Sequence, residues 1–276
     1  MSTDTGLERA AAQRTVPLSA VPRSMPLVVY SIGAVAFLFV LWAAVTTTGL
    51  VGPGYLPTPQ AMFTEFVNLL QDGYKGKSLW AHIEASLLRT LIGFAIGCAI
   101  GIPLGLLSGY SKKVGAMFSP VMAFVRPIPP IAFIPMAVLY FGLGETGKIV
   151  LILFTAFNYA FVNAHAGAAS VPMSYYRAAQ SIGLNSTQVF FRIVVLAAVP
   201  QIFTGLKVAM ALSWAVVVAA ELVGAQAGLG FMISDAAQLF RIPVVFIGIA
   251  LIGVIGLMLN FLLTASEDKL VHWKGR

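Results

Sequence analysis

Cysteine is nearly absent. The 276 residues hold one, Cys98, inside an apolar run, which excludes a disulfide framework and any cysteine-rich metal site. Histidine is scarce too: His82, His165 and His272 stand far apart with no HExxH-type spacing, so no metal centre is expected. Charge is scarcer still. Charged side chains make up 10% of the chain and hydrophobic ones 59%, against about 25% charged in an ordinary soluble domain. Such a chain cannot cover a water-facing surface, so a soluble enzyme or a nucleic-acid binder is excluded and the solvent is lipid. The net charge of +7 sits between apolar runs rather than on one stripe, and no nucleic-acid partner follows from it.

Catalytic motifs are missing as well. No GxSxG occurs, which removes the support for hydrolase chemistry. Residues 142–149 imitate GxxxxGK, but Ile149 stands where a Ser or Thr would have to bind magnesium, so this is a loop and not a nucleotide site. No catalytic residue, metal or cofactor is therefore assigned to this chain.

What is present is a series of apolar runs, each long enough to cross a bilayer at about 20 residues per span. They lie at 27–47, 87–110, 114–142, 149–170, about 199–221 and 242–266, and predict six transmembrane helices. The first follows a largely polar stretch over residues 1–26 and is too long for a signal-peptide core, so it reads as a retained helix. With both termini in the cytoplasm, ten basic residues fall inside (Arg9, Arg14, Arg23, Lys112, Lys113, Arg177, Arg192, Lys269, Lys274, Arg276) and four outside (Lys75, Lys77, Lys148, Arg241). That bias sets the orientation. The organisation is then a cytoplasmic tail 1–26, a membrane domain 27–266 with an outer segment 49–86 and a cytoplasmic loop 171–188, and a cytoplasmic tail 267–276. In the outer segment, Thr58 or Pro59 starts a short helix over 60–71 that lies along the outer surface.

Several features inside the membrane call for an explanation. Gly93, Gly97, Gly101, Gly105 and Gly109 recur at every fourth residue, a stripe that allows close helix contact within one bundle or across a dimer. Arg126, Pro127, Pro129, Pro130 and Pro135 interrupt the third run, and each proline removes a backbone donor. Arg126 lies about 12 residues into that run, roughly 18 Å deep, where a charge needs a partner or a wet path. Arg126, Pro127 and Pro130 are thus candidates for a translocation pathway, the alternative being a structurally paired arginine. Lys207 and Glu221 are too far apart along one helix, about 21 Å, to pair with each other. Glu221 is expected at the outer, wetter helix end and is carried as a further pathway candidate.

In the loop 171–188, Pro172 can begin a helix and Gly183 can end it, with Ala178 and Ala179 as a small, exposed face. A short cytoplasmic helix of this kind suits docking into a partner's groove. At these residues, Arg177-Ala178-Ala179 followed by Gly183, Ile193 and Pro200, the chain resembles the "EAA" loop of permease subunits in binding-protein-dependent ABC importers. Arg177 stands where that family has Glu, and Leu196 where it has a further Pro, so the usual glutamate salt bridge is not carried over. Arg126-Pro127-Ile128-Pro129-Pro130, residues 140–148 (YFGLGETGK), Ala219-Ala220-Glu221-Leu222 and residues 228–233 (GLGFMI) are similar to the sulfonate, nitrate and taurine branch, most of all to its taurine permeases. The resemblance implies an all-α, six-helix type I importer permease in the bacterial inner membrane, embedded in lipid. It implies partnership with a second copy of itself, two ATP-binding subunits that hold ATP and Mg, and a periplasmic or lipoprotein substrate-binding protein. Tyr176, Arg177, Ala178, Ala179, Gln180 and Gly183 would form the ATPase-coupling loop. The cargo implied is taurine or a related alkanesulfonate, with nitrate or a pyrimidine precursor as alternatives. A secondary transporter is the rival outside the family, but paired broken helices and internal repeats are not evident.

Overall fold

The computed structural model describes residues 27–52 and 54–271. The tail 1–26 with Arg9, Arg14 and Arg23, together with Pro53 and residues 272–276 including Lys274 and Arg276, lie outside the described residues. The chain divides into two units after residue 53.

The first unit contains α1 (Leu27–Thr47). Near its C-terminal end threonine hydroxyls bond back to carbonyls of the preceding turn, and Ala44 O also takes the Thr48 amide at 3.0 Å. Thr46, Thr47 and Thr48 donate to Trp42 O (2.9 Å), Ala43 O (2.7 Å) and Ala44 O (2.7 Å).

The second unit is helical throughout, and no strand forms among the described residues. Its helices are α2 (Pro59–Gln71), α3 (Leu79–Tyr110), α4 (Lys112–Val125), α5 (Ile134–Phe141), α6 (Glu145–Ala169), α7 (Met173–Ser181), α8 (Ser186–Val189), α9 (Val195–Gly224), α10 (Leu229–Gln238) and α11 (Ile242–Leu270). A π-helical turn, Phe190–Val194, joins α8 to α9, so one apolar helix runs over Ser186–Gly224. The residues described include five helices long and apolar enough to span, counting α1, and one bent pair.

Several expected boundaries move. The run 114–142 is not one helix: α4 ends at Val125, Pro130–Phe133 forms a 3-10 turn, and the two halves meet at 83°. Pro127, Pro129 and Pro130 cannot donate to the preceding turn, so the ladder breaks there. α3 begins at Leu79, not 87, because Ser78 caps it by accepting from Ala81 N at 3.2 Å; the outer segment is shorter by that much. α11 runs on to Leu270 past the expected end at 266, where Glu267 meets Lys207 at 2.5 Å. This is the partner that Lys207 required. α10 has no counterpart among the apolar runs, being ten residues long.

The glycine stripe has one resolved role. A Cβ on Gly97 would come within 2.5 Å of Leu153 O, one on Gly101 within 2.7 Å of Phe157 O, and one on Gly93 within 2.7 Å of the Ile152 side chain. Gly105 and Gly109 likewise abut Phe161 and His165. The stripe therefore seats α3 against α6 backbone to backbone inside this chain, where dispersion replaces the hydrophobic drive that lipid does not supply.

The outer segment is a packed cap. Thr58 caps α2, Pro59 occupies its first turn, and Leu69 and Tyr74 are buried. Tyr74 donates to Asp235 Oδ2 at 2.7 Å, and Arg241 lies 5.4 Å from its ring centroid while pairing with Glu65 at 2.5 Å. Burial, reinforced by the Asp235 hydrogen bond, pushes the Tyr74 phenol above its ordinary range. α2, α10 and the start of α11 are tied together at this point.

Candidate functional site

Two places carry the sequence-derived candidates: the loop around α7 and the break between α4 and α5. At the first, Pro172 is the N-cap of α7 and Tyr175 N donates to Pro172 O at 3.0 Å. At the other end Gly183 has φ +78°, with Gly183 N on Gln180 O and Leu184 N on Ala179 O, both at 3.0 Å. This is a Schellman motif, and its left-handed residue is where glycine costs nothing and a side chain is penalised. Asn185 then opens α8 with a reciprocal capping box: Gln188 N donates to Asn185 Oδ1 (2.9 Å) and Asn185 N to Gln188 Oε1 (3.0 Å). Two caps back to back leave the loop little freedom.

The two alanines do not share a face. Ala179 is 1% exposed against the bundle, whereas Ala178 is exposed. Neighbouring helical residues are about 100° apart, so one alanine must turn in when the other turns out. Tyr176 also turns inward, stacked on Tyr110 at 6.2 Å and 18°. The outward face is formed by Met173, Arg177, Ala178, Gln180, Ser181 and Ile182, the last 76% exposed. Gly183 has empty space where a Cβ would go, so Gly183→Val tests backbone conformation alone. It is expected to weaken the closing turn by about 1–2 kcal/mol, seen as roughly tenfold or faster amide exchange at Leu184 with the rest of the chain unchanged.

At the second place, Arg126 caps α4 with its N–H on Met122 O at 2.9 Å. Arg126 and Pro127 are exposed and Pro130 is buried. Arg126 makes no ion pair among the described residues, and it borders a cavity of about 210 Å³ shared with Ser119, Phe161 and His165. Arg126 thus lies beside the last turns of α6, which ends at Ala169. With an 83° bend, at most one of α4 and α5 can follow the membrane normal.

Glu221 is not where a wet helix end was expected. It is 1% exposed and is ringed by donors: Ser86 Oγ at 2.9 Å, Arg89 Nη1 at 2.6 Å and Gly230 N at 2.9 Å. Arg89 also grips Glu145 through Nε and Nη2, and Ala227 O through Nη1 at 2.8 Å. Ser86 accepts from Leu229 N at 2.9 Å, so the first amides of α10 face the carboxylate, the favourable end of the helix for negative charge. Gly228, at φ +129°, leaves room that a side chain would take from the Glu221 carboxylate. These contacts brace α3, α6, α9 and α10 at one end. Ser86, Arg89 and Glu145 were not singled out in the sequence; an arginine inside an apolar run was the signal available.

The imitation phosphate loop is filled from within: Lys148 is buried and donates to Leu143 O at 3.0 Å. Among the described residues no group of three His, Cys, Asp or Glu could hold a metal ion.

The bundle thus combines a proline-broken span with an exposed loop helix closed by a left-handed glycine. The model of the family described as "binding-protein-dependent transport system inner membrane component" matches residues 101–272, and the chain belongs to that family of ABC importer permeases, multi-pass proteins of the inner membrane. It is 37% identical over 249 residues to the taurine transport system permease protein TauC of Escherichia coli, covering 90% of each chain. It is 30% identical over 239 residues to the putative aliphatic sulfonates transport permease protein SsuC of Bacillus subtilis, covering 87% of this chain and 85% of that one. The nitrate import permease protein NrtB of Synechocystis is 34% identical over 252 residues, with 89% and 90% covered. Among solved structures, the MetNI methionine ABC transporter in an inward-facing form matches with TM-score 0.59 and 19% identity, over 72% of this chain and 98% of that one. The fold is that of a type I importer permease.

Proposed function

We propose that this chain is the membrane subunit of an importer for taurine or a closely related alkanesulfonate. It works as a homodimer with both termini in the cytoplasm, powered by two separate ATPase subunits and supplied by an external substrate-binding protein. The observation that carries the substrate reading is the identity to the taurine permease across nine-tenths of both chains. ATP and Mg belong to the ATPase partner, and this chain contributes no catalytic group.

The residues suit that work. α7 offers Arg177, Ala178 and Ile182 outward on a helix closed by the turn at Gly183, a lever for transmitting ATPase closure. Docking through it biases a two-state equilibrium of the membrane helices, since the ATP-bound pair contacts each state differently. Arg126, with no ion pair among the described residues and beside a cavity, offers a cation to an anionic cargo, and Pro127 and Pro130 hold the break that exposes it. A pathway needs such attraction to be transient, because tight binding would trap the substrate.

Reconstituted with its ATPase and candidate binding proteins, the chain is expected to take up taurine in an ATP-dependent manner, in preference to nitrate. ATP-independent uptake, or preference for nitrate, would overturn this reading. Arg126→Ala is expected to lower uptake at least tenfold while the ATPase still copurifies; full transport by the assembled variant would remove Arg126 from the pathway.

A further inference from the structure

We infer that His165 and Arg126 form one anion-holding station on the inner part of the translocation path, with His165 donating a hydrogen bond to the substrate's anionic group. The inference rests on the importer reading above. Three separate elements bring the station together: Arg126 at the end of α4, His165 near the end of α6, and Ser108 near the end of α3.

His165 is held as a positioned donor is held. Its ring stacks on Phe161 at 6.3 Å and 14°, and Phe161 is itself packed against Phe118 at 5.5 Å. Its Nδ1 lies 3.0 Å from the buried Ser108 hydroxyl. When Ser108 donates to Nδ1, the neutral ring carries its proton on Nε2, and that nitrogen has no partner among the described residues. A second-element hydrogen bond that selects the tautomer is the usual way an imidazole is aimed at a ligand. Both His165 and Arg126 border the cavity of about 210 Å³, and Ser119 adds a hydroxyl to it.

The charge balance of the surroundings points the same way. The sequence has no Asp or Glu between Glu84 and Glu145, nor between Glu145 and Glu221. Glu145 and Glu221 are both engaged with Arg89, and Glu267 with Lys207. The helices that surround the cavity therefore bring no carboxylate to neutralise Arg126. An unneutralised guanidinium beside a fixed N–H donor, in a pocket with a hydroxyl, is chemistry for a tetrahedral or planar oxyanion. A substrate sulfonate and a lipid headgroup both answer to that description. The assignment to substrate follows from the membrane subunit's transport role.

The test separates donor from packing. His165→Gln keeps a donor on a side chain of similar reach, and His165→Phe keeps the ring and its stack but has no donor. Complexes with ATPase and binding protein are reconstituted in phosphatidylcholine vesicles, with and without anionic lipid, and ATP-driven taurine and nitrate uptake is measured. His165→Gln is expected to stay within about twofold of wild type, and His165→Phe to lose about tenfold in maximal rate, equally in both lipids and with unchanged ATPase copurification. The reverse order, Phe active and Gln inactive, assigns His165 to packing and overturns the inference. A defect confined to vesicles with anionic lipid assigns the site to headgroups and also overturns it. Arg126→Ala run in parallel keeps the readings apart. If Arg126→Ala is inactive and His165→Phe is normal, only the present inference fails. If both are normal, or if wild type takes up neither ion, the importer pathway reading fails with it.

Discussion

Replacing Arg89 with leucine is expected to cost the folded chain about 3–5 kcal/mol, the largest effect of any single change considered. The reason is what would be left behind. Glu221 is 1% exposed and Arg89 Nη1 sits 2.6 Å from it. Without the guanidinium, that carboxylate keeps Ser86 Oγ and Gly230 N as donors but loses its counter-charge in a medium that cannot solvate it. Glu145 loses its bidentate partner at the same time, with more of its side chain in contact with solvent and therefore at smaller cost. The Arg89→Leu, Glu221→Leu double variant removes both buried charges and is expected to be more stable than Arg89→Leu alone. Thermal unfolding midpoints in detergent for the two singles and the double give the coupling directly. A sum of independent, small effects would show that the cluster does not brace α3, α6, α9 and α10.

The second large effect is expected along the α3 stripe. Gly97→Val and Gly101→Val would drive a branched side chain into α6 backbone, since even a bare Cβ there lies within 2.5 Å of Leu153 O or 2.7 Å of Phe157 O. Backbone cannot swing aside as a side-chain end can, so the helices must separate. Overpacking costs about 1–3 kcal/mol per site and more where no relaxation is available. Gly253, in the middle of α11, is the internal control, because nothing lies within 4 Å of its Cβ position. Gly253→Ala is expected to be neutral or to stabilise by up to about 1 kcal/mol through helix propensity. If Gly97→Val and Gly253→Ala unfold at the same temperature, the stripe is not a packing seam. Cysteines placed at Gly101 in a Cys98→Ala background should also fail to cross-link between copies, because α6 of the same chain covers the position.

The legibility of this protein in its sequence varied with the kind of evidence each feature needed. Apolar runs of bilayer length are a one-dimensional property, and α1, α6 and α11 lie where composition put them, with ends displaced by a few residues. The displaced ends have local causes, such as the Ser78 cap that starts α3 early. Pro172 and Gly183 marked the limits of α7 because a proline that fixes φ and a glycine that tolerates φ +78° act within one turn. The Ala178-Ala179 pair, by contrast, was read as one face, and which alanine turns inward depends on where the bundle lies.

The site residues divide along the same line. Arg126 stood out as a charge in an apolar run, and the prolines around it announced the break. Which groups share its cavity did not follow, because Phe161 and His165 lie on another helix. Glu221 was visible as a charge, but its burial required α10 to fold back and present Leu229 N and Gly230 N, and α3 to bring Ser86 and Arg89 from more than a hundred residues away.

By itself, then, the sequence determined the solvent, the all-helical class, the broken third span and the limits of the loop helix α7. Each depends on composition or on interactions within a turn or two. Only the tertiary structure decided which charges cancel, that the glycine stripe meets α6 of the same chain, and that His165 shares a cavity with Arg126. Those facts depend on which distant helices touch. In lipid, helix contact is set by close packing and buried hydrogen bonds between elements, and neither leaves a periodic trace along the chain.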